Sequence, residues 1–465
     1  MDYPPGKAPL AILAMAIVSG VWLLLLPAGK SRGNLEVWTF ADSHYRAYQK
    51  VVPHFEATHP GIKVDLQFVH GRAVTSRLRA AFASDLHVPD MLETEISTAG
   101  TFFLGPLEDI GFVDLTGELH KPRPDGPPWY ERIVKSRFAP YTSRRTVNGV
   151  ATDHIFGLPH DVHPVLLAYR RDIFQAHGID AGKLGTWDEF LRVGRGLMKE
   201  LNAGAPPGQL DHYLIGLSDT DSGDLEVLLF QRDGGYFRPD GTVRLDDDVA
   251  VETMCWYVPL VVGPERVGYP VGWNWEVTEK FLQTDFLLCF LMPDWFSGFF
   301  QKQAKSGAGK LALVPLPAVK PGGRRTSTRG GTMLGFTKKS RQFELAWQLG
   351  LELYFDIDSR IEQFQETNIL PPLKSAWKHP ALAQPNPYWS NQPLGQLYAA
   401  QADDTPPQYT SPYIQLAKEK LSEAICDCVD CYGKNGAHGF EAFVRNRLKQ
   451  SADEIRRQMK LNPYH

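Results

Sequence analysis

Apolar and polar residues alternate from Leu35 to Phe40 (LEVWTF), the period-two pattern of a half-buried strand. From Tyr45 to His59 the apolar residues move to helical spacing, at Tyr48, Val51, Val52 and Phe55. A Pro-Gly turn then leads into a second strand over Ile62 to Val69, a helix over Val74 to Ala83, and a third buried strand in VPDMLETE. This β-α-β-α-β order predicts a parallel sheet with helices packed on its faces. A Pro-rich loop, KPRPDGPPWY, interrupts it, and a second alternating region begins with a strand over Val165 to Tyr169. RRDIFQAHGID reads as a helix ended by glycine, and Thr186-Trp187-Asp188-Glu189 as a capping box that opens another. Next come a turn, a strand and an acidic helix start in DGTVRLDDDVAVETMCWYVPLV, where the aspartates suit a helix N-terminus. LLCFLMPDWFSGFF predicts a strand broken at Pro293 before a helix. GKLALVPLPAV is a further strand, PGGRRTSTRGG a flexible basic loop, and helices dominate from Gln342 onward. Two α/β lobes and a helical tail fit this order.

The first residues depart from that pattern. Pro9 to Ala28 carries no charge and is long enough to cross a hydrocarbon core about 30 Å thick. Residues 1–33 are therefore expected to be an uncleaved membrane anchor, in preference to a cleaved signal, because LPAGKSRG is a poor cleavage site. Either way the rest of the chain is exported. The remaining composition is that of a soluble globular protein, and 465 residues suggest about two or three domains. A net charge of −4 gives no footprint for nucleic acid. The five cysteines are an odd number, so at least one thiol stays unpaired. Cys426, Cys428 and Cys431, followed by His438, lack the two separated pairs of a structural zinc site. They read instead as the end of a helix, with thiols that are buried or joined in a local disulfide.

The densest chemistry lies in GLPHDVHPV, residues 157–165. Pro159 and Pro164 disfavour helix at the residues before them, so the stretch is expected to be extended. Alternation then puts Asp161 and His163 on one face and His160 on the other, which opposes a metal site needing convergent imidazoles. An Asp161–His163 pair can serve acid–base chemistry, but no nucleophile elbow or second carboxylate pair accompanies it. It suits contact with ligand hydroxyls better. Asp42, Ser43 and His44 directly follow the first strand, and Glu95 the third, where ligands bind in open parallel sheets. Trp273 and Trp275, two apart in a loop, present rings to one side if that loop is extended. Arg329, Gly330 and Gly331 form a segment whose glycines permit close backbone approach. Arg324 and Arg325 either join Arg329 in holding an anion or stand in a solvated loop. No cofactor or metal is expected.

Several segments fall in a familiar order: LEVWTF, FEATHPGIKVDLQFV, VPDMLETE, IFGLPHDVHPVLLAYRRDIFQAHGI, TWDEFL, DGTVRLDDDVAVETMCWYVPLV, FLLCFLMPDWFSGFF, LALVPLPA and GGTMLGFTKKS. Together they cover most of residues 35–350, and with them the chain resembles the extracellular solute-binding proteins of ABC sugar importers, the family that includes maltose-binding protein. The resemblance implies a type II periplasmic-binding-protein fold, with lobes that cross more than once and close on the ligand. Its first crossing falls at His163 to Leu167 and its return at Thr332 to Phe336. Lobe one is then 34–163 plus 332–375, and lobe two is 164–331 plus 376–465. Trp295 stands where the family often presents an aromatic ring to sugar, and Glu95 where it has a polar contact. The implied function is non-catalytic: capture of a carbohydrate for an ABC permease by a monomer tethered to, or released from, the outer face of the cytoplasmic membrane. A membrane-tethered ligand sensor is the alternative, and a glycan hydrolase using Asp161 or Glu95 a third.

Overall fold

The computed structural model describes Met15 and residues 35–462, except 85, 148, 149 and 207. The expected anchor, Pro9 to Ala28, lies outside these residues apart from Met15. Among the described residues no helix is long and apolar enough to cross a membrane.

The strands, in chain order, are β1 (Leu35–Thr39), β2 (Val64–Phe68), β3 (Met91–Glu95), β4 (Thr142–Val147), β5 (Val150–Ile155), β6 (Leu158–Pro159), β7 (Val165–Arg170), β8 (Tyr213–Gly216), β9 (Gly268–Tyr269), β10 (Leu287–Pro293), β11 (Leu311–Pro315) and β12 (Thr332–Phe336). They build two mixed five-stranded sheets, ordered β2-β1-β3-β12-β6 and β11-β7-β10-β8-β9, and the hairpin β4-β5. As the alternation predicted, β1 lies parallel to β2 and β3. The late strand β12 then inserts antiparallel between β3 and β6, pairing Thr332 with Glu95 and Met333 with Pro159.

Pleating divides the first sheet's residues between two cores. Leu35, Val37, Met91, Leu334 and Phe336 pack on one face against Tyr48, Phe55 and Trp347. Trp38, Leu92 and Met333 pack on the other against Leu78, Phe102 and Phe112. The second sheet shares one large core with the tail, whose helices Ile414–Asn435 and Phe440–Lys460 contribute Leu421, Ile425, Val444 and Leu448. The helix Ile357–Thr367 bridges the two sheets. Ile361 and Phe364 enter the second core, while Glu362 and Glu366 pair with Lys50 of the helix Asp42–Thr58 at 2.5 and 2.8 Å.

Local signals fared unevenly. Thr186 and Glu189 form the reciprocal capping box at the start of Trp187–Leu201. The strand expected just before the acidic helix Asp248–Val261 shrinks to a single bridge between Phe237 and Val243. The basic loop is not flexible surface. Thr326, Ser327 and Thr328 are fully buried, with Arg324 on Asp233 at 2.5 Å and Arg325 on the Leu316 carbonyl at 3.0 Å. The cysteines sit within a continuous helix rather than at its end, and all are free thiols, with Cys428 buried and Cys426 exposed.

Candidate ligand-binding cleft

The chain passes between the sheets at residues 160–165, bonded there to 327–332. His160 N–H donates to the Thr332 carbonyl at 3.0 Å, and Val165 N–H to the Ser327 carbonyl at 3.0 Å. Beside these crossings lies a cleft of about 760 Å³, at the carboxyl ends of β1 and β3 and the start of the helix Asp294–Gln303. Asp42, Ser43, His44, Glu95, His163, Trp273, Trp295, Arg329, Gly330 and Gly331 line it. Asp161 and Trp275 do not, for different reasons.

GLPHDVHPV is not uniformly extended. His163 adopts a left-handed backbone, φ 54°, which swings its ring back toward Asp161. The two histidines therefore flank the same carboxylate, against the alternation expected from sequence. His163 Nε2 lies 3.0 Å from Asp161 Oδ2, and His160 Nδ1 lies 3.4 Å from it. Asp161 is fully buried and also accepts from Arg137 Nη2 at 3.2 Å and Thr332 N–H at 3.2 Å. Its oxygens are thus taken up beneath the wall rather than presented on it. Arg137 continues the network, donating to Thr328 Oγ1 at 2.9 Å and the Gly330 carbonyl at 3.0 Å.

On its other side His163 Nδ1 lies 2.6 Å from Asp294 Oδ1, and Asp294 Oδ2 accepts from Leu370 N–H at 2.7 Å. One imidazole so ties the first crossing to the second sheet and to the segment after Ile357–Thr367. Burial works against its charge, but Asp161 and Asp294 outweigh it and raise His163 to about 9. Because the folded value lies above the ordinary 6.5, the stabilisation is complete below pH 6.5 and drains away as pH rises through about 9. Thermal unfolding followed across that range should show this decline in the wild type and lose it in His163→Gln. Equal alkaline slopes in both would refute the assignment.

Behind this network His44, Glu93 and His160 bring ligand-type atoms within 4.8 Å of one another, all buried. Glu93 and His160 Nε2 already have hydrogen-bond partners, while His160 Nδ1 makes no hydrogen bond. Glu93 accepts from the hydroxyls of Thr39, Tyr48 and, at 2.7 Å, Tyr354, and from His44 Nδ1 at 3.1 Å. His160 faces Arg360 through Nε2 at 3.2 Å and Asp161 through Nδ1. A cation there would sit against the Arg360 guanidinium, so the arrangement is better described as a hydrogen-bonded knot. Burial would raise the Glu93 carboxyl, yet His44, His160 and Thr39 hold it at about 2. Burial, reinforced by the charge of His44, pushes His160 down to about 4. The rings of His44 and His160 stack at 3.8 Å.

The aromatic wall centres on Trp295. Its Nε1 donates to the Arg329 carbonyl at 2.9 Å, and the ring of Trp273 stacks on it at 5.7 Å and 15°. Gly330, φ 85°, allows this approach, since a Cβ there would meet Trp295 Nε1 at 3.2 Å. Trp275 diverges from Trp273 because Asn274 caps the helix Trp275–Gln283, accepting from Glu276 and Val277 N–H at 3.1 and 3.3 Å. As a first-turn helical residue it packs on Phe296, Phe299 and Phe300 and does not itself line the cleft. Of the three arginines considered for an anion, only Arg329 lines the cleft, and it is paired with Asp224 at 2.7 Å.

Phe299, Lys302, Glu226, Gln408 and Lys418 also line the cleft and were not singled out from sequence. Phe299 was within reach, being one helical turn from Trp295. Gln408 and Lys418 carry no local signal. Most charges in the wall are paired, Arg46 with Asp42, Arg329 with Asp224, Lys418 with Glu226, and His163 with Asp161 and Asp294, whereas Lys302 and Glu95 have no ion-pair partner among the described residues.

Two α/β sheets joined by repeated crossings, with a cleft between them at strand ends, define a two-lobed solute-binding protein. The chain belongs to the bacterial extracellular solute-binding protein family, whose profile matches residues 41–349. It is 27% identical over 324 residues to an arabinooligosaccharide-binding protein of Bacillus subtilis (strain 168), covering 69% of each chain. It is 21% identical over 360 residues to a protein of the same description from Halalkalibacterium halodurans, covering 77% of this chain and 75% of that one. Among solved structures, the sugar-binding protein MalE of Xanthomonas citri superposes with a TM-score of 0.71 at 18% identity, over 92% of this chain and 98% of the other. An extracellular solute-binding protein of family 1 gives a TM-score of 0.71 at 21% identity, over 90% and 99%. The family binds solutes and is not enzymatic.

Proposed function

We propose that this protein captures a neutral carbohydrate in the cleft and delivers it to the membrane permease of an ABC importer. The observation that carries this reading is the pairing of Trp295 and Trp273, a broad aromatic surface, with a polar wall most of whose charges are paired with one another. Apolar C–H faces of a sugar pack on such rings, while its hydroxyls use the remaining donors and acceptors. A ligand with net charge would leave part of that internal pairing unbalanced. The curated relatives are described as binding arabinooligosaccharides, which agrees with this class of ligand. Lobe one is taken as 34–163 plus 332–375 and lobe two as 164–331 plus 376–465. The apolar stretch Pro9 to Ala28 tethers the lobes, as a monomer, to the outer face of the cytoplasmic membrane.

Calorimetry with arabinotriose, maltotriose and β-1,6-galactobiose tests the reading, with glucuronate and phosphate as charged controls. Binding of at least one neutral sugar, recovered chemically intact, is the expected result. No heat from any neutral sugar, or binding of the charged controls alone, would overturn it.

A further inference from the structure

The residues that the family profile matches end at 349, yet the cleft is completed by side chains from beyond that point. The tail helix Ile414–Asn435 is fastened to the second lobe by one side chain per turn. Lys418 reaches Glu226 at 3.2 Å, Ser422 Oγ meets Ser222 Oγ at 3.1 Å, and Cys426 Sγ donates to the Thr220 carbonyl at 3.3 Å. Spacing of four residues places these three on one helix face. Just before them, Gln415 Nε2 donates to the Ser97 carbonyl of the first lobe at 2.6 Å. The tail is thereby held at the seam, with Lys418 and the preceding Gln408 among the residues that line the cleft, as Glu95 does.

These groups have hydrogen-bonding capacity to spare. Gln408 Oε1 is buried and has no hydrogen-bond partner among the described residues. The Lys418 ammonium has three N–H donors, of which Glu226 takes one. Glu95 is bonded at one oxygen by Ser97 Oγ, and burial raises its carboxyl above the ordinary range, with Lys418 opposing. An unfilled acceptor, spare donors and a carboxyl are therefore all present in the cleft lining. Adjacent hydroxyls on a sugar offer the complementary set, each with one O–H donor and lone pairs to accept.

We propose that Gln408 and Lys418 bind the ligand directly and act as specificity-determining residues supplied by the tail. The proposal rests on the carbohydrate reading above. Gln408 accepts from one ligand hydroxyl, and Lys418 donates to its neighbour while remaining paired with Glu226. A site built to bond a hydroxyl discriminates strongly against a ligand lacking it, because its own buried groups are then left unpaired.

Gln408→Leu is the primary test, since Gln408 Oε1 has no internal bond to lose. Lys418→Met and Lys418→Arg accompany it, and all are titrated with arabinotriose, maltotriose and β-1,6-galactobiose in parallel. Gln408→Leu and Lys418→Met are expected to weaken the sugars that wild type binds by tenfold or more, with Lys418→Arg recovering part of the loss. The melting temperature of unliganded Gln408→Leu should match wild type. A loss under tenfold in Gln408→Leu, with wild type binding normally, overturns the role of the tail and leaves the carbohydrate reading intact. Failure of wild type to bind any of the three sugars overturns both.

Discussion

Asp161→Ala is expected to destabilise the protein by about 3–5 kcal/mol, the usual cost of removing one partner from a buried ion pair. The carboxylate is fully buried, and burial alone would raise its pKa, but His163 and its neighbours hold it well below the usual carboxylate range. Its removal leaves the Arg137 guanidinium inside the protein without an acidic partner and frees Nε2 of His163. The Thr332 N–H loses its side-chain acceptor as well. All these groups lie at the crossings, so the lesion falls where the two sheets are joined, and sugar binding should fail together with stability. Urea unfolding gives the measurement. A loss below about 1 kcal/mol would show that the network is not the joint described above.

Trp295→Ala carries the largest expected effect on binding alone, about 2 kcal/mol or more, equivalent to roughly a thirtyfold or greater loss of affinity. Truncation removes the central ring of the cleft and the surface on which Trp273 stacks. Trp273 is 66% exposed, so with its stacking partner gone its ring keeps only the edge contact with Phe296 among its ring neighbours. Trp295→Phe keeps a flat apolar face and should retain much of the affinity, although it cannot donate to the Arg329 carbonyl. Calorimetry on the best-bound neutral sugar distinguishes the three proteins. Affinity within threefold of wild type in Trp295→Ala would remove the aromatic wall from the account.

Much of the fold was legible because its elements are locally patterned. The alternation in LEVWTF marks β1, whose neighbours follow at helical and period-two spacing, and Thr186-x-x-Glu189 caps a helix as read. The cleft residues at strand ends were legible for the same reason, since Asp42, Ser43 and Glu95 need only the end of a strand to place them. What failed depends on distant partners. Proline neighbours bias the backbone of GLPHDVHPV, but the turn at His163 is imposed by Asp294, far along the chain, together with Asp161. Arg324 and Arg325 looked like a solvated loop until Asp233 and the Leu316 carbonyl supplied partners. Trp275 was misjudged because Asn274 starts a helix there, which turns the two tryptophans apart. Gln408 and Lys418 gain their position from how the tail packs, and no local periodicity records that.

The position of β12 also constrains the order in which the molecule forms. It is the fourth strand of a five-stranded sheet, held between β3 and β6, which precede it by much of the chain. The second sheet draws all its strands from the continuous stretch Val165 to Pro315. Its closures span shorter loops, whereas the first sheet must bring Thr332 back to Glu95. Pairing across long separations costs loop entropy before any contact repays it. The second sheet can therefore pair its strands before β12 is available, whereas the first sheet keeps an open edge at β3 until β12 arrives to fill it. That edge is the chain's exposed liability during biogenesis, a ready template for intermolecular strand pairing while it waits.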